Sequence, residues 1–227
     1  MLEQTSDLAT AHQWAVAILR DGNVAKYFIS ESNFLSAYKS ESSFSFIVRG
    51  EPFYGQLYGE EAYLDPRCTE IATLDKNERE GWVNRGEGFQ FWEAQTGANG
   101  SSIEILSNAE EINSMIADHA PDSSVHPGDP EEIFWGGIRN GLGELVASAG
   151  LVKWQSGFHV MVAVVTRTQD RGKGLATRLS AGMLAHANSL GIKEIGLGVR
   201  TGNIAAQRAY EKAGFKKLAE FTHYSRE

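Results

Sequence analysis

Residues 160–178 constrain this chain more than any other stretch. Val160-Met-Val-Ala-Val-Val-Thr166 is an apolar run of strand character, and Arg167-Thr-Gln-Asp170 is a short polar turn. Arg171-Gly-Lys-Gly174 then opens onto the periodic apolar residues Leu175, Leu179, Met183 and Leu190 of a helix. Two glycines at a helix start cost helix stability unless the backbone there has another use. The available use is anion binding: the first N–H groups of a helix lack intrahelical acceptors, and residues without a Cβ let a ligand approach them. A phosphate or pyrophosphate suits such a cradle. Two familiar glycine loops fail here. A P-loop needs glycine where Arg167 stands and Ser or Thr where Gly174 stands, and the dinucleotide fingerprint needs a third glycine where Thr177 stands. A third pattern, Gln/Arg-x-x-Gly-x-Gly/Ala, is met in full by Gln169-Asp-Arg-Gly-Lys-Gly174.

The surroundings of the turn predict an α+β domain. Residues 103–106 read as a strand, and Asn108 caps a helix with Glu110 and Glu111 in its first turn and Ile112, Met115 and Ile116 on its apolar side. After a proline-rich loop, three strand-like runs at 133–138, 145–152 and 158–165 are separated by Gly141-Leu-Gly143 and Gln155-Ser-Gly157, the rhythm of an antiparallel meander. Downstream of the long helix, Ile195, Leu197 and Val199 alternate as a strand, residues 204–213 form a helix ended by Gly214, and residues 215–221 return as a strand. A meander leading into a strand–helix–strand unit gives a mixed, mostly antiparallel sheet flanked by helices. The turn-rich Gly97-Ala-Asn-Gly-Ser-Ser102 marks a boundary, so the domain is expected over 101–227 and a smaller helix-plus-strand region over 1–100. In the latter, Leu8, Ala11, Ala15, Ile18 and Leu19 predict one helix, and Val24, Tyr27, Phe28, Phe34, Leu35 and Tyr38 a second. Residues 44–48, 53–58 and 71–74 read as strands, and Trp82, Phe89, Phe91 and Trp92 as an aromatic strand or hairpin.

Thirty-odd residues past the glycine turn, Asn203-Ile-Ala-Ala-Gln-Arg-Ala-Tyr210-Glu-Lys-Ala-Gly-Phe215 fits Asn-x-x-Ala-x-x-x-Tyr-x-x-x-Gly-Phe. The two patterns, in this order and on these elements, resemble the GNAT superfamily of acyl-CoA-dependent N-acyltransferases over residues 101–227. The resemblance implies a GNAT-like sheet and acetyl-CoA as co-substrate, with no metal. It implies that the N–H groups of Arg171, Gly172, Lys173, Gly174, Leu175 and Ala176 hold the CoA pyrophosphate. Main-chain groups of Val164, Val165 and Thr166 would pair with the pantetheine arm, and Asn203 would contact the cofactor or cap its helix. Tyr210 stands at the family's general-acid position, where a phenol protonated at neutral pH can donate to the departing thiolate. His159, Glu132, Glu144 or water stands open as the base. Thr166 and Thr168 replace residues that are often Val and Pro in relatives, which changes side chains and not the backbone. By the same analogy, residues 1–100 are a degenerate second GNAT-like domain lacking the phosphate loop.

The charge supports one compact polyanion as ligand. The chain carries a net charge of −8, yet residues 1–150 hold nine Lys/Arg against twenty-four Asp/Glu and residues 151–227 hold twelve against five. The basic third contains the glycine turn, while the acidic balance elsewhere speaks against broad nucleic-acid binding and for a small-molecule or peptide amine acceptor of cationic character. Cys68 is the only cysteine, which excludes an intramolecular disulfide and a cysteine zinc cage and favours a reducing, cytoplasmic setting. It lies outside the matched stretch, so direct transfer is expected rather than a cysteine acyl-enzyme. No apolar run has the length of a membrane span, and Glu3 and Asp7 break any signal-peptide pattern. A homodimer is left open. The alternative reading is a noncatalytic CoA-binding sensor or interaction protein of the same fold.

Overall fold

A computed structural model describes residues 24–29, 34–39, 44–49, 70–73, 78, 80–98, 100–121, 123, 125–153 and 158–226. The strands are β1 (Val24–Ile29), β2 (Phe34–Lys39), β3 (Phe44–Arg49), β4 (Glu70–Thr73), β5 (Trp82–Gln95), β6 (Glu104–Leu106), β7 (Glu132–Arg139), β8 (Leu145–Lys153), β9 (His159–Thr166), β10 (Glu194–Arg200) and β11 (Lys216–Arg226). Among the described residues the helices are α1 (Ala109–His119), α2 (Leu175–Ser189) and α3 (Ile204–Ala213), with a 3-10 turn at Thr168–Asp170. All eleven strands join one mixed, mostly antiparallel sheet in the order β1-β2-β3-β4-β11-β5-β10-β9-β8-β7-β6. The α+β architecture expected from the sequence is therefore the observed one.

One expected element is corrected. The second N-terminal helix is a pair of antiparallel strands, with Ile29 opposite Phe34. Val24, Tyr27, Phe28, Ile29, Phe34 and Tyr38 are β-branched or aromatic residues that favour strands, and the polar Ser30-Glu-Ser-Asn33 between them suits a connection. The first expected helix and the strand at 53–58 lie outside the described residues.

The aromatic stretch is a single fourteen-residue strand, β5. In sequence it precedes the break at 97–102, but in the sheet it lies between β10 and β11. It pairs antiparallel with β10 from Glu194↔Gln95 to Arg200↔Phe89, and with β11 from Lys216↔Glu93 to Arg226↔Trp82. Trp82, Phe91, Trp92 and Ala94 of this strand are all buried. The main core contains Trp92 and Ala94 together with Leu179 and Met183 of α2, Ile195, Leu197 and Val199 of β10, and Tyr210 and Phe215. Ile112, Met115 and Ile116 of α1 are buried outside that cluster, on the helix that packs against β8 and β9.

Two irregularities in the middle of the sheet position the site. Parallel strands β9 and β10 meet at the single pair Val160 and Gly196, so past Val160 their ladder is broken. On its other edge β9 stays paired with β8, but Val162 stands opposite Gly150 and Val165 opposite Ser148, so Ala163 and Val164 face one residue. This is a β-bulge, and Ala163 carries it at φ 47°, the one left-handed non-glycine residue among those described. Such a conformation costs an alanine on the order of 1 kcal/mol. Its effect is a change of phase: Met161 belongs to the main core, and Val164, rather than Ala163, is the next residue packed on that side.

Candidate active site

A cleft of about 540 Å³ opens at the C-terminal end of β9. Its walls are β9, the glycine turn, the first turn of α2, and the face of α3 that carries Asn203, Arg208, Tyr210 and Lys212. This size lies within the range of small-molecule sites.

The turn is shaped by glycines and braced by one carboxylate. Gly172 and Gly174 have φ of 80° and 75°, a region that other residues enter only with strain, and a Cβ on either would meet nothing within 4 Å. Backbone conformation, not crowding, requires glycine at both. Gly174 is the N-cap of α2 and offers no side-chain cap, while its carbonyl accepts from Arg178 N–H at 3.1 Å. The first N–H groups of α2 are thereby left facing outward at the positive end of the helix. Asp170 is buried just before the turn and accepts from Arg167 Nε at 2.6 Å and Lys173 Nζ at 2.7 Å. The hydrogen bond from Lys173, followed by that from Arg167, holds its carboxyl below the usual aspartate range.

Most residues expected at the site from the sequence come together here. Val164, Val165 and Thr166 line the cleft from β9; Arg171, Gly172 and Gly174 from the turn; Leu175 and Ala176 from α2; Asn203 and Tyr210 from α3. Lys173 does not line it; its ammonium pairs with Asp170, which does. Asn203 both lines the cleft and caps α3, its side-chain oxygen accepting from Ala206 N–H at 3.1 Å. Just past β9, Arg167 N–H donates to the Val146 carbonyl of β8, so by strand alternation the main-chain groups of Thr166 point to the opposite edge, where the β10 ladder is broken. Arg171 Nε donates to the Thr166 carbonyl at 3.3 Å.

Tyr210 is buried, and its ring meets Phe215 with centroids 6.0 Å apart. Burial pushes its phenol up to about 12, so the group holds its proton throughout the neutral and mildly alkaline range.

The three candidate bases lie elsewhere. His159 is at the far end of β9, where burial and then the charge of Lys153 lower its pKa. Glu132 accepts from Gly128 N–H at 2.7 Å. Glu144 accepts from Asn140 and pairs with Arg167, which together hold its carboxyl low. None of the three lines the cleft. Sequence reasoning missed His119 at the end of α1, whose Nδ1 lies 3.1 Å from Thr168 Oγ1, and the cations Arg208 and Lys212. The available signal was the i, i+4 spacing of the two cations around Tyr210, beside the low Ala205, Ala206 and Ala209 surface of α3. Among the described residues no cluster of metal-ligating side chains occurs, and no helix is long and apolar enough to cross a membrane.

Comparison with known proteins agrees with this geometry. Residues 104–215 match the model of the acetyltransferase (GNAT) family. A solved structure of a GCN5-related N-acetyltransferase from Kribbella flavida is 15% identical, with TM-score 0.60, over 96% of this chain and 94% of its own. A GCN5-related N-acetyltransferase from Sphaerobacter thermophilus is 13% identical, with TM-score 0.59, over 99% and 94%. A tandem GNAT protein from the clavulanic acid biosynthesis pathway is 9% identical, with TM-score 0.51, over 89% and 83%. No curated protein matches in sequence. At these identities the structures speak for the fold, and the family model speaks for the residues that carry it. Residues 104–215 are a domain of the acetyltransferase (GNAT) family.

Proposed function

We propose that the protein transfers the acetyl group of acetyl-CoA to a primary amine by direct attack. The observation that carries this reading is one cleft onto which three features open: the N-terminal amides of α2, the edge of β9 where its ladder to β10 is broken, and the buried phenol of Tyr210. In this reading the amides from Arg171 to Ala176 hold the pyrophosphate, and Arg171, Arg208 and Lys212 add charge against the phosphates. The pantetheine arm continues the sheet along the free edge of β9, with the main-chain groups of Thr166 as partners. The amine nitrogen bonds to the thioester carbonyl carbon, a β9 N–H stabilises the oxyanion that forms, and the C–S bond then breaks. The sulfur receives a proton from Tyr210, balancing the proton the amine loses. None of His159, Glu132 and Glu144 lines the cleft, and in this reading water takes the amine proton.

The acidic balance of residues 1–150 supports a cationic acceptor, and the joining of β4 to β11 supports a second GNAT-like unit in residues 1–100, as in a tandem arrangement. The test is release of CoA thiol from acetyl-CoA in the presence of a panel of primary amines, with acetylated product identified by mass. Amine-dependent release is expected. Acetyl-CoA binding without release across the panel would assign a noncatalytic, CoA-binding role instead.

A further inference from the structure

Gly198 occupies a place where nothing in the fold calls for a glycine. It lies within β10, flanked by Leu197 and Val199, which are 1% and 6% exposed, yet it is itself exposed. Its φ is not left-handed, so the backbone does not need a glycine. A Cβ added there would meet nothing within 4 Å, so packing does not need one either. Gly196, two residues earlier on the same side of the strand, is the contrasting case: a Cβ there would run into the rings of Phe158 and Phe91. A glycine inside a strand costs about 0.5–1 kcal/mol relative to a residue with a side chain, and in the absence of a structural need it marks a close approach by something else.

The surroundings say what approaches. Leu197 and Val199 point into the core shared with Tyr210, so Gly198 faces the other side of the sheet. On one flank β5 places Phe91 directly opposite it. On the other flank β9 has left the ladder after Val160, and Val162 and Ala163 are only half-buried. Phe91 and Phe158, with centroids 5.9 Å apart, fill the space over Gly196 and close that end. The result is an open stretch of bare backbone beside the break between β9 and β10, on the face of the sheet opposite Tyr210.

We propose that the acceptor lies against this bare stretch and that Gly198 determines how large an acceptor fits: a primary amine carried on an apolar arm lies across Gly198, with its nitrogen at the strand break. The inference rests on the transferase reading above. It also gives residues 1–100 a part in specificity, because Phe91 comes from β5, outside the residues matched by the family.

Gly198→Val tests it with the full-length protein and straight-chain, branched and aromatic primary amines. The expected result is an amine KM raised by about tenfold or more, most for the bulkiest amines, with acetyl-CoA affinity unchanged. The melting temperature should be unchanged or higher, since valine suits an exposed strand position. Equal amine kinetics in both proteins would overturn the inference while leaving the transferase reading intact. A melting temperature lowered by several degrees would show that the fold requires the glycine and would also overturn it. Absence of transfer by the unaltered protein would remove the transferase reading and this inference with it.

Discussion

Shortened to residues 101–227, the chain is expected not to fold, although that piece contains every residue matched by the family model. The reason is β5, which pairs with β10 through residues 89–95 on one side and with β11 through residues 82–93 on the other. Without it, β10 loses its antiparallel partner, and only the single Val160–Gly196 pair remains between it and β9. The core also loses Trp82, Phe91 and Trp92, all buried. Each large aromatic buries roughly 150–250 Å², so at ~25 cal/mol/Å² the three account for about 11–19 kcal/mol. A whole domain of this size is stable by about 5–15 kcal/mol. Circular dichroism and thermal melting of the 101–227 fragment should show no cooperative transition, and extending the start to residue 78 should restore one. A cooperative melt from 101–227 would contradict the role given to β5.

Tyr210→Phe is expected to lower kcat by about 10²–10³ while leaving acetyl-CoA affinity unchanged. The ring stays in the core against Phe215, so the variant removes one hydroxyl and little packing. The direction of the pKa shift adds a second check. Because burial raises the phenol to about 12, the protonated form persists as pH rises, and activity should not fall between about pH 8 and 10 through this group. Steady-state kinetics of both proteins across that range measure both points. An unchanged kcat in the phenylalanine variant would assign Tyr210 to packing alone.

The parts of the site that were legible in the sequence are those whose cause is local. Gly172 and Gly174 announce a left-handed turn wherever the chain goes, and Asn108, Asn203 and Gly214 mark helix ends at the positions the structure shows. Tyr210 was singled out through the resemblance of residues 203–215 to the family's second motif, and the structure puts it on the wall of the cleft. The misread helix at 24–38 came from an ambiguity of spacing: apolar residues at Val24, Tyr27 and Phe28 suit a helical stripe and a strand alike.

What stayed hidden depends on partners distant in the chain. The alternation in β5 fits any sheet edge, so nothing in residues 82–95 states that β10 and β11 will enclose them. The bulge at Ala163 has no local mark, because the residue held at φ 47° is an alanine and not a glycine. The side chain of Lys173 reads as a free cation beside the glycines, and only the structure shows it paired with Asp170. The contrast between Gly196 and Gly198 is equally invisible in sequence: one is crowded by Phe158 and Phe91, the other faces open space.

The account depends first on the glycine turn being a CoA site. Isothermal titration of acetyl-CoA into the full-length protein and into Gly174→Val tests this most directly. Valine at φ 75° strains the N-cap of α2 and turns its amides away from a ligand. The expected result is saturable binding at one site in the unaltered protein, weakened by about a hundredfold or more in the variant. No heat of binding at millimolar acetyl-CoA, or equal affinity in the two proteins, would contradict it.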